Sequence, residues 1–339
     1  MKFTHESLPQ RVVFDSYAAA DHVAAEVERL GARRPMLVST GTSIELEGAV
    51  RHTEVVMHVP VEVAERARSS AASHGVDVLV AVGGGSTTGL AKAVALTTGL
   101  PIIAVPTTYA GSEATAVWGL TEGGRKTTGT DPRVLPRVVV YDASLTLSLP
   151  VPLSVASGLN AVAHGVDSMW APRADPINRA FALESIRALN AGLPRVFDHP
   201  SDVEGRENLL YGAYLAAVAF ASAGSGLHHK VCHVLGGMFN LPHAPTHAVV
   251  LPYVTALNEF AAPALAPAFG APTALEGLLR LANRLDAPRS LRELGLREAD
   301  LPAAADGVLA AVPGNNPAPV DGARLATLLH DAWEGKDPR

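Results

Sequence analysis

Five of the thirteen histidines in this 339-residue chain fall between Gly226 and His247, in GLHHKVCHVLGGMFNLPHAPTH. His229 and His233 are four residues apart, a spacing that puts two side chains on one helix face. His243 follows a Gly-Gly and a Pro, where the chain can turn back toward the same site. A second stretch, SGLNAVAHGVDSMWA, carries Asn160, His164 and Asp167 at i, i+4 and i+7, again on one face. Imidazoles grouped in this way can hold a metal, bind an anion, or move a proton near neutral pH. Lys230 and His228 stand beside them as further cationic groups for carboxylates. The bland alternatives are hydrogen-bonded structural histidines and a solvated helix lysine.

A different chemistry is written earlier. VLVAVGGGSTTGLAKAVAL places Gly83, Gly84 and Gly85 directly after an apolar run, followed by Ser86 and a helix expected from about Gly89. Glycines let the backbone approach a pyrophosphate, and the amides at the start of the next helix face the anion. GxGxxG is absent, and a tight turn would use the same glycines. The next apolar run ends in PTTYAGSEAT, whose Thr107, Thr108, Tyr109 and Ser112 add a hydroxyl-rich loop. Ligands of open α/β sheets bind outside the carboxyl ends of the strands, so two such loops favour a dinucleotide site.

The elements that must position these groups divide the chain in two. Up to about residue 150, short apolar runs at 11–14, 36–40, 55–59, 78–82, 102–106 and 137–141 read as buried parallel strands. They alternate with helical stretches at 18–31 and 60–75 that end in Gly. This half is expected to be a doubly wound, Rossmann-like dinucleotide-binding domain (1–150). From 151 to 339 the strand signals stop, and Ala- and Leu-rich helical periodicity predicts an all-helical substrate and catalytic domain. The 259–277 stretch, rich in Ala and Pro, reads as loop or broken helix.

Composition bounds the function. Hydrophobic residues make up 48% and charged residues 18%, enough for a large core. A net charge of −6 without a basic run argues against nucleic acid as a partner. The single Cys232 rules out an intrachain disulfide and suits a reducing compartment. With no secretory h-region and no long apolar segment, a cytoplasmic protein without a membrane partner is expected.

Taken together and in order, GGGS-x-x-x-x-AK, PTT-x-x-GSE, G-x-N-A-x-x-H and H-x-x-x-H-x-x-G-x-x-x-N-x-P-H resemble the iron-containing alcohol dehydrogenase family over residues 78 to 252. TEGGRKTTG, DPRVLPR, GLNAVAHGVD and THAVVLP extend the resemblance to its maleylacetate reductase branch, nearly end to end. The resemblance assigns the family's metal positions to Asn160, His164, His229 and His243. Asn160 replaces an Asp, and Gly89 replaces another Asp found in many metal-dependent members, so no metal is expected. NADH or NADPH is the implied cofactor, with Lys126 near its ribose and His233 near its nicotinamide. The implied reaction reduces the conjugated C=C of maleylacetate, a small dicarboxylate, to 3-oxoadipate in hydroxyquinol or chloroaromatic degradation. Protonated His229, His243 and His164 would stabilise the enolate, with Lys230 and His233 assisting and Asn160, His228 and Tyr253 lining the substrate, while His247 caps or braces the next helix from behind the site. A homodimer is the expected assembly. Asp15 and Ser16 in VVFDSY, Pro245 and Tyr253 depart from the branch. Three other readings stand beside it: a related reductase of another enone or oxo-acid in biosynthesis, a non-redox ligand-binding reuse of the fold, and a metal-dependent alcohol or polyol dehydrogenase. Asn160 counts against the last.

Overall fold

The computed structural model describes residues 1–338, which form two compact units. The first is Leu8–Leu149. Its strands are β1 (Arg11–Phe14), β2 (Pro35–Val38), β3 (Val50–His52), β4 (Val78–Gly83), β5 (Ile102–Pro106), β6 (Val117–Glu122), β7 (Arg125–Thr130) and β8 (Val138–Tyr141). Six of them form one sheet in the order β1-β8-β5-β4-β2-β3, with every neighbouring pair parallel. Helices α1 (Ala19–Arg29), α2 (Val61–Ser73) and α3 (Gly85–Thr98) complete the unit.

Alternation explains why the strands are apolar throughout. Leu79 and Ala81 of β4 pack with α2 and α3, whereas Val78, Val80 and Val82 pack with Ala19 and Val23 of α1. Both faces are covered, so neither set of side chains tolerates a polar residue.

Two features differ from expectation. Residues 55–59 are not a strand; His58 and Val59 take positive φ (65° and 49°), and the pairing strand is the shorter Val50–His52. Strands β6 and β7, joined by a Gly123-Gly124 turn, form an antiparallel hairpin outside the main sheet.

The second unit contains Met1–Ser7 and the chain from Pro150 onward. The initial segment therefore belongs with the helices: Ser222 Oγ donates to Glu6 O at 2.9 Å, and the His5 ring lies 2.9 Å from Asp175 Oδ2. The helices are α4 (Val151–Ser168), α5 (Pro176–Asp198), α6 (Val203–Ala223), α7 (Leu227–Phe239), α8 (His243–Asn258), α9 (Leu265–Ala268), α10 (Ala274–Arg284), α11 (Leu301–Leu309) and α12 (Gly322–Glu334). Helix α7 ends at Asn240, whose left-handed conformation (φ 53°) turns the chain through Leu241 and Pro242 into α8. His243 is thus the first residue of a helix. No single helix among the described residues is long and apolar enough to cross a membrane.

Candidate active site

Three helices of the second unit bring the histidines together. Helix α4 contributes Asn160, His164 and Asp167, α7 contributes His228, His229 and His233, and α8 contributes His243 and His247. The His164 and His229 rings stack at 5.0 Å between centroids, 10° from parallel. His247 lies 4.8 Å from His229, 4.9 Å from His228 and 4.4 Å from His243. His233 sits at the margin, 6.1 Å from His229 and 6.5 Å from His243. His164, His228, His229 and His247 are buried, while His233 and His243 are exposed. His247 is therefore inside the cluster and not behind it. Phe220 of α6, which had no motif to mark it, packs 4.3 Å from His229 and 4.9 Å from His164.

Asp167 organises the start of α7. The N-cap, Gly226, has no local side-chain cap; instead the Asp167 carboxylate accepts from the amides of Gly226 (2.8 Å), His228 (3.2 Å) and His229 (3.4 Å). It also accepts from Trp170 Nε1 at 3.1 Å and lies 2.8 Å from His229 Nδ1. A Cβ at Gly226 would sit 2.4 Å from Asp167 Oδ1, so this close approach requires glycine. The i+7 position that put Asp167 on the face of Asn160 and His164 was the signal for its role.

Burial dictates the charge state of the cluster. Desolvation, reinforced by neighbouring imidazoles, holds His164, His228, His229 and His247 well below the usual histidine range. The resting site is consequently neutral there, which corrects the expectation of a standing group of protonated imidazoles. Burial pushes the Asp167 carboxyl up, opposed by the His228 ring and by the three amides. The carboxylate's partners are amide, indole and ring N–H groups at a helix N-terminus, so it remains the acceptor. Lys230 is half-buried beside His229, and its charge further disfavours protonation of that ring.

Five buried side-chain atoms of this cluster have no hydrogen-bond partner among the described residues: Asn160 Oδ1, His164 Nδ1, His228 Nδ1, His229 Nε2 and His247 Nε2. Unpaired buried polar atoms are costly, and their concentration in one cluster marks a place built for a polar ligand.

In the α/β unit the loops after β4 and β5 lie side by side. Gly83 pairs with Pro106, and the Thr107 amide donates to Gly83 O at 3.1 Å. Helix α3 starts at Gly85, earlier than expected, and its N-terminus has no side-chain cap. Gly85, Ser86, Thr107, Thr108 and Ser112 are partly accessible around it. A Cβ at Gly84 would meet Thr108 Cγ2 at 2.9 Å, which explains the glycine. Tyr109, by contrast, is wholly buried, so its side chain belongs to the interior and not to a cofactor surface. Sequence reasoning passed over Lys92, whose buried Nζ donates to Ser112 O (2.6 Å), Thr115 O (2.7 Å), Thr115 Oγ1 (3.0 Å) and Val117 O (2.9 Å). It ties the second loop to α3. Burial pushes this amine down to about 7, partly opposed by the Glu113 carboxylate.

Both halves of the chain match one family. The model for the N-terminal part of the iron-containing alcohol dehydrogenases covers residues 9–143, and that for the C-terminal part covers residues 154–333. The chain belongs to the iron-containing alcohol dehydrogenase family. It is an oxidoreductase, and its relatives place it in the maleylacetate reductase branch. Maleylacetate reductase 2 of Cupriavidus pinatubonensis is 50% identical, with 82% of this chain and 83% of that protein covered. The crystal structure of an iron-containing alcohol dehydrogenase from Corynebacterium glutamicum superposes with a TM-score of 0.97 at 55% identity, covering 100% of this chain and 98% of that one. That of maleylacetate reductase from Agrobacterium tumefaciens gives 0.95 at 43% identity, with both chains fully covered.

The positions that the resemblance assigns to the family's metal, Asn160, His164, His229 and His243, make a donor set of one amide and three imidazoles. No carboxylate joins it: both oxygens of Asp167 are engaged by amide, indole and ring nitrogens. Among the described residues, three His, Cys, Asp or Glu ligand atoms lie within 4.8 Å of one another in His228–Cys232–His247 and in His330–Asp331–Glu334, and His164, His229 and His243 do not form such a group. In the first group the two imidazoles are already hydrogen-bonded to each other, at 2.9 Å. Without a carboxylate, the amide and three imidazoles offer a hard divalent cation a weaker donor set than one that includes Asp. The uncapped α3 N-terminus, with glycines where a Cβ would intrude, does fit a dinucleotide phosphate.

The departures from the branch also find their places. Asp15 pairs with His22 at 2.9 Å, and β1 is separated from β4 by β8 and β5, so its carboxylate is not at the phosphate loop. Tyr253 is no substrate ligand: its hydroxyl donates to Lys336 O (2.7 Å) and Asp331 O (3.1 Å), anchoring the end of the chain. Burial, reinforced by the Asp331 and Asp337 carboxylates, pushes this phenol up to about 12. Lys126 is exposed on β7. Pro245 lies in the first turn of α8, two residues after His243.

Proposed function

We propose that this protein reduces the conjugated double bond of maleylacetate to 3-oxoadipate with NADH or NADPH, without a metal, in the breakdown of hydroxyquinol or chlorinated aromatics. The observation that carries this reading is the cluster of unpartnered buried polar atoms on Asn160, His164, His229 and His247. A carboxylate- and carbonyl-bearing substrate supplies the partners that these atoms lack. The maleylacetate reductases among the relatives support the choice of substrate.

When bound, the reduced nicotinamide supplies the hydride that forms the new C–H bond, at the alkene carbon beside the carboxylate. The amides of Gly84, Gly85 and Ser86 at the start of α3, with Thr107, Thr108 and Ser112, would hold the cofactor phosphates. As the C=C π bond breaks, its electron pair moves through the conjugated system to the ketone oxygen, giving an enolate. Ring and amide groups of the cluster hold that oxygen in a site screened from water, where a hydrogen bond counts for more than in bulk. Lys230, partly accessible, meets the substrate carboxylates. Their negative charge favours protonation of His229 at Nε2, against the burial that keeps it neutral at rest. That proton then passes to the carbon between the new C–H bond and the ketone. One hydride and one proton complete the saturated product.

The test is product analysis. Incubation with maleylacetate and either nicotinamide nucleotide should yield 3-oxoadipate with one nucleotide oxidised per molecule formed. Absence of nucleotide oxidation above background with both would overturn the reading.

A further inference from the structure

The hydrogen bonds inside the cluster divide its rings into two chemical types. His229 Nδ1 faces Asp167 Oδ2 at 2.8 Å. The other partners of that carboxylate are the amides of Gly226, His228 and His229 and the indole of Trp170, which can only donate. The His229 proton therefore resides on Nδ1, and its unpartnered Nε2 is a lone pair.

The second pair resolves in the opposite sense. His228 Nε2 and His247 Nδ1 are 2.9 Å apart, so one ring donates to the other. If His247 donated, neutral His228 would carry its proton on Nδ1, an N–H without a partner in a fully buried ring. Donation from His228 leaves the unpartnered N–H on His247 Nε2 instead, so either direction leaves one. The His247 ring lies 4.4 Å from the exposed His243 and 4.8 Å from His229, where a bound substrate would supply the missing acceptor. Donation from His228 Nε2 therefore places that N–H where it can be satisfied. It also faces Cys232 Sγ, 3.7 Å from the same nitrogen, with a donor. His247 then accepts at Nδ1 and carries its own proton on Nε2, the atom left without a partner.

We propose that His247 is a catalytic residue whose neutral Nε2–H binds the developing enolate oxygen, while Asp167 and His228 are positioning residues that hold His229 and His247 in opposite tautomers. The assignment rests on the reading that an enolate forms in this site. It gives two adjacent rings, 4.8 Å apart, distinct tasks: His247 donates a hydrogen bond throughout, and His229 carries the mobile proton. A neutral donor gains most when charge appears on its partner, so His247 acts in the transition state more than in substrate binding.

Neutron diffraction from wild-type crystals grown in heavy water locates the protons directly. Deuterium is expected on His229 Nδ1 and His247 Nε2, with none on His228 Nδ1. Deuterium on His247 Nδ1 and none on its Nε2 overturns the assignment, whatever the substrate. The kinetic arm compares His247→Leu with His247→Gln, which keeps an N–H donor. His247→Leu should lower kcat roughly 10²- to 10³-fold with a much smaller change in KM, and His247→Gln should recover most of the loss. Equal kcat for wild type and His247→Leu refutes the catalytic role; if that variant does not fold, the deuterium positions decide. Predicted deuterium positions without any maleylacetate turnover would instead overturn the substrate reading and the enolate role together.

Discussion

His229 Nδ1 lies 2.8 Å from Asp167 Oδ2, and this contact joins the first turn of α7 to the face of α4 that carries Asn160 and His164. The carboxylate that orients the ring also caps the helix bearing it, so the site and the local fold share one support.

Removing that support should be costly. Asp167→Ala leaves three amides, an indole N–H and a ring N–H without their acceptor, and a loss of about 3 kcal/mol is expected. Asp167→Asn retains one acceptor oxygen and should lose less. Urea unfolding checks both; an alanine variant within about 0.5 kcal/mol of wild type would contradict the hub.

The buried imidazoles set an acid limit. Four histidines with folded pKa values below the unfolded value bind fewer protons in the native state than in the unfolded one. Their contribution is complete above about pH 6.5 and is lost as pH falls below it, each by at most about 1.4 kcal/mol per pH unit. The melting temperature should therefore drop steeply between about pH 6.5 and 5. A flat profile across that interval would mean that these rings are not held neutral.

His229→Asn and His243→Asn separate catalysis from scaffolding. If both rings serve the transition state, kcat falls roughly 10²- to 10³-fold while KM moves far less. Circular dichroism should report folded protein in each case. Folded variants retaining more than about a third of kcat would remove the cluster from the chemistry.

Two lysines of the α/β unit should behave differently. Lys126 is exposed on β7, so Lys126→Ala is expected to raise the cofactor KM and change stability by less than about 0.5 kcal/mol. Lys92→Met strips three carbonyls and a hydroxyl of their donor and should cost about 3 kcal/mol, loosening the second loop as well. Nucleotide titration and thermal melts distinguish the two; a stable Lys92→Met variant with normal cofactor affinity would refute the clamp.

Much of this was legible in the residues, for physical reasons. Val78–Val82 reads as a two-sided buried strand because every position is apolar, and the sheet uses both faces. The strand β7, RKTTGT, is almost entirely exposed, so no burial pattern marked it. Val55–Val59 carries the β-branched residues of a strand, yet the pairing fell to the three-residue Val50–His52. On α4 and α7 the i, i+4 spacing exposed the active face. His247 was misjudged because its partner His228 is nineteen residues away, and only the turn at Asn240 brings α8 against α7. Tyr253 shares α8 with His247, but its hydroxyl is taken by a segment near the end of the chain, a contact that no local pattern encodes.

The most direct test is steady-state oxidation of NADH and NADPH by exhaustively chelated protein with maleylacetate as substrate, alongside the metal content of the same sample. Undiminished turnover is expected in protein holding far less than one metal ion per chain. Turnover that vanishes on chelation and returns with stoichiometric iron or zinc would contradict metal-independent reduction.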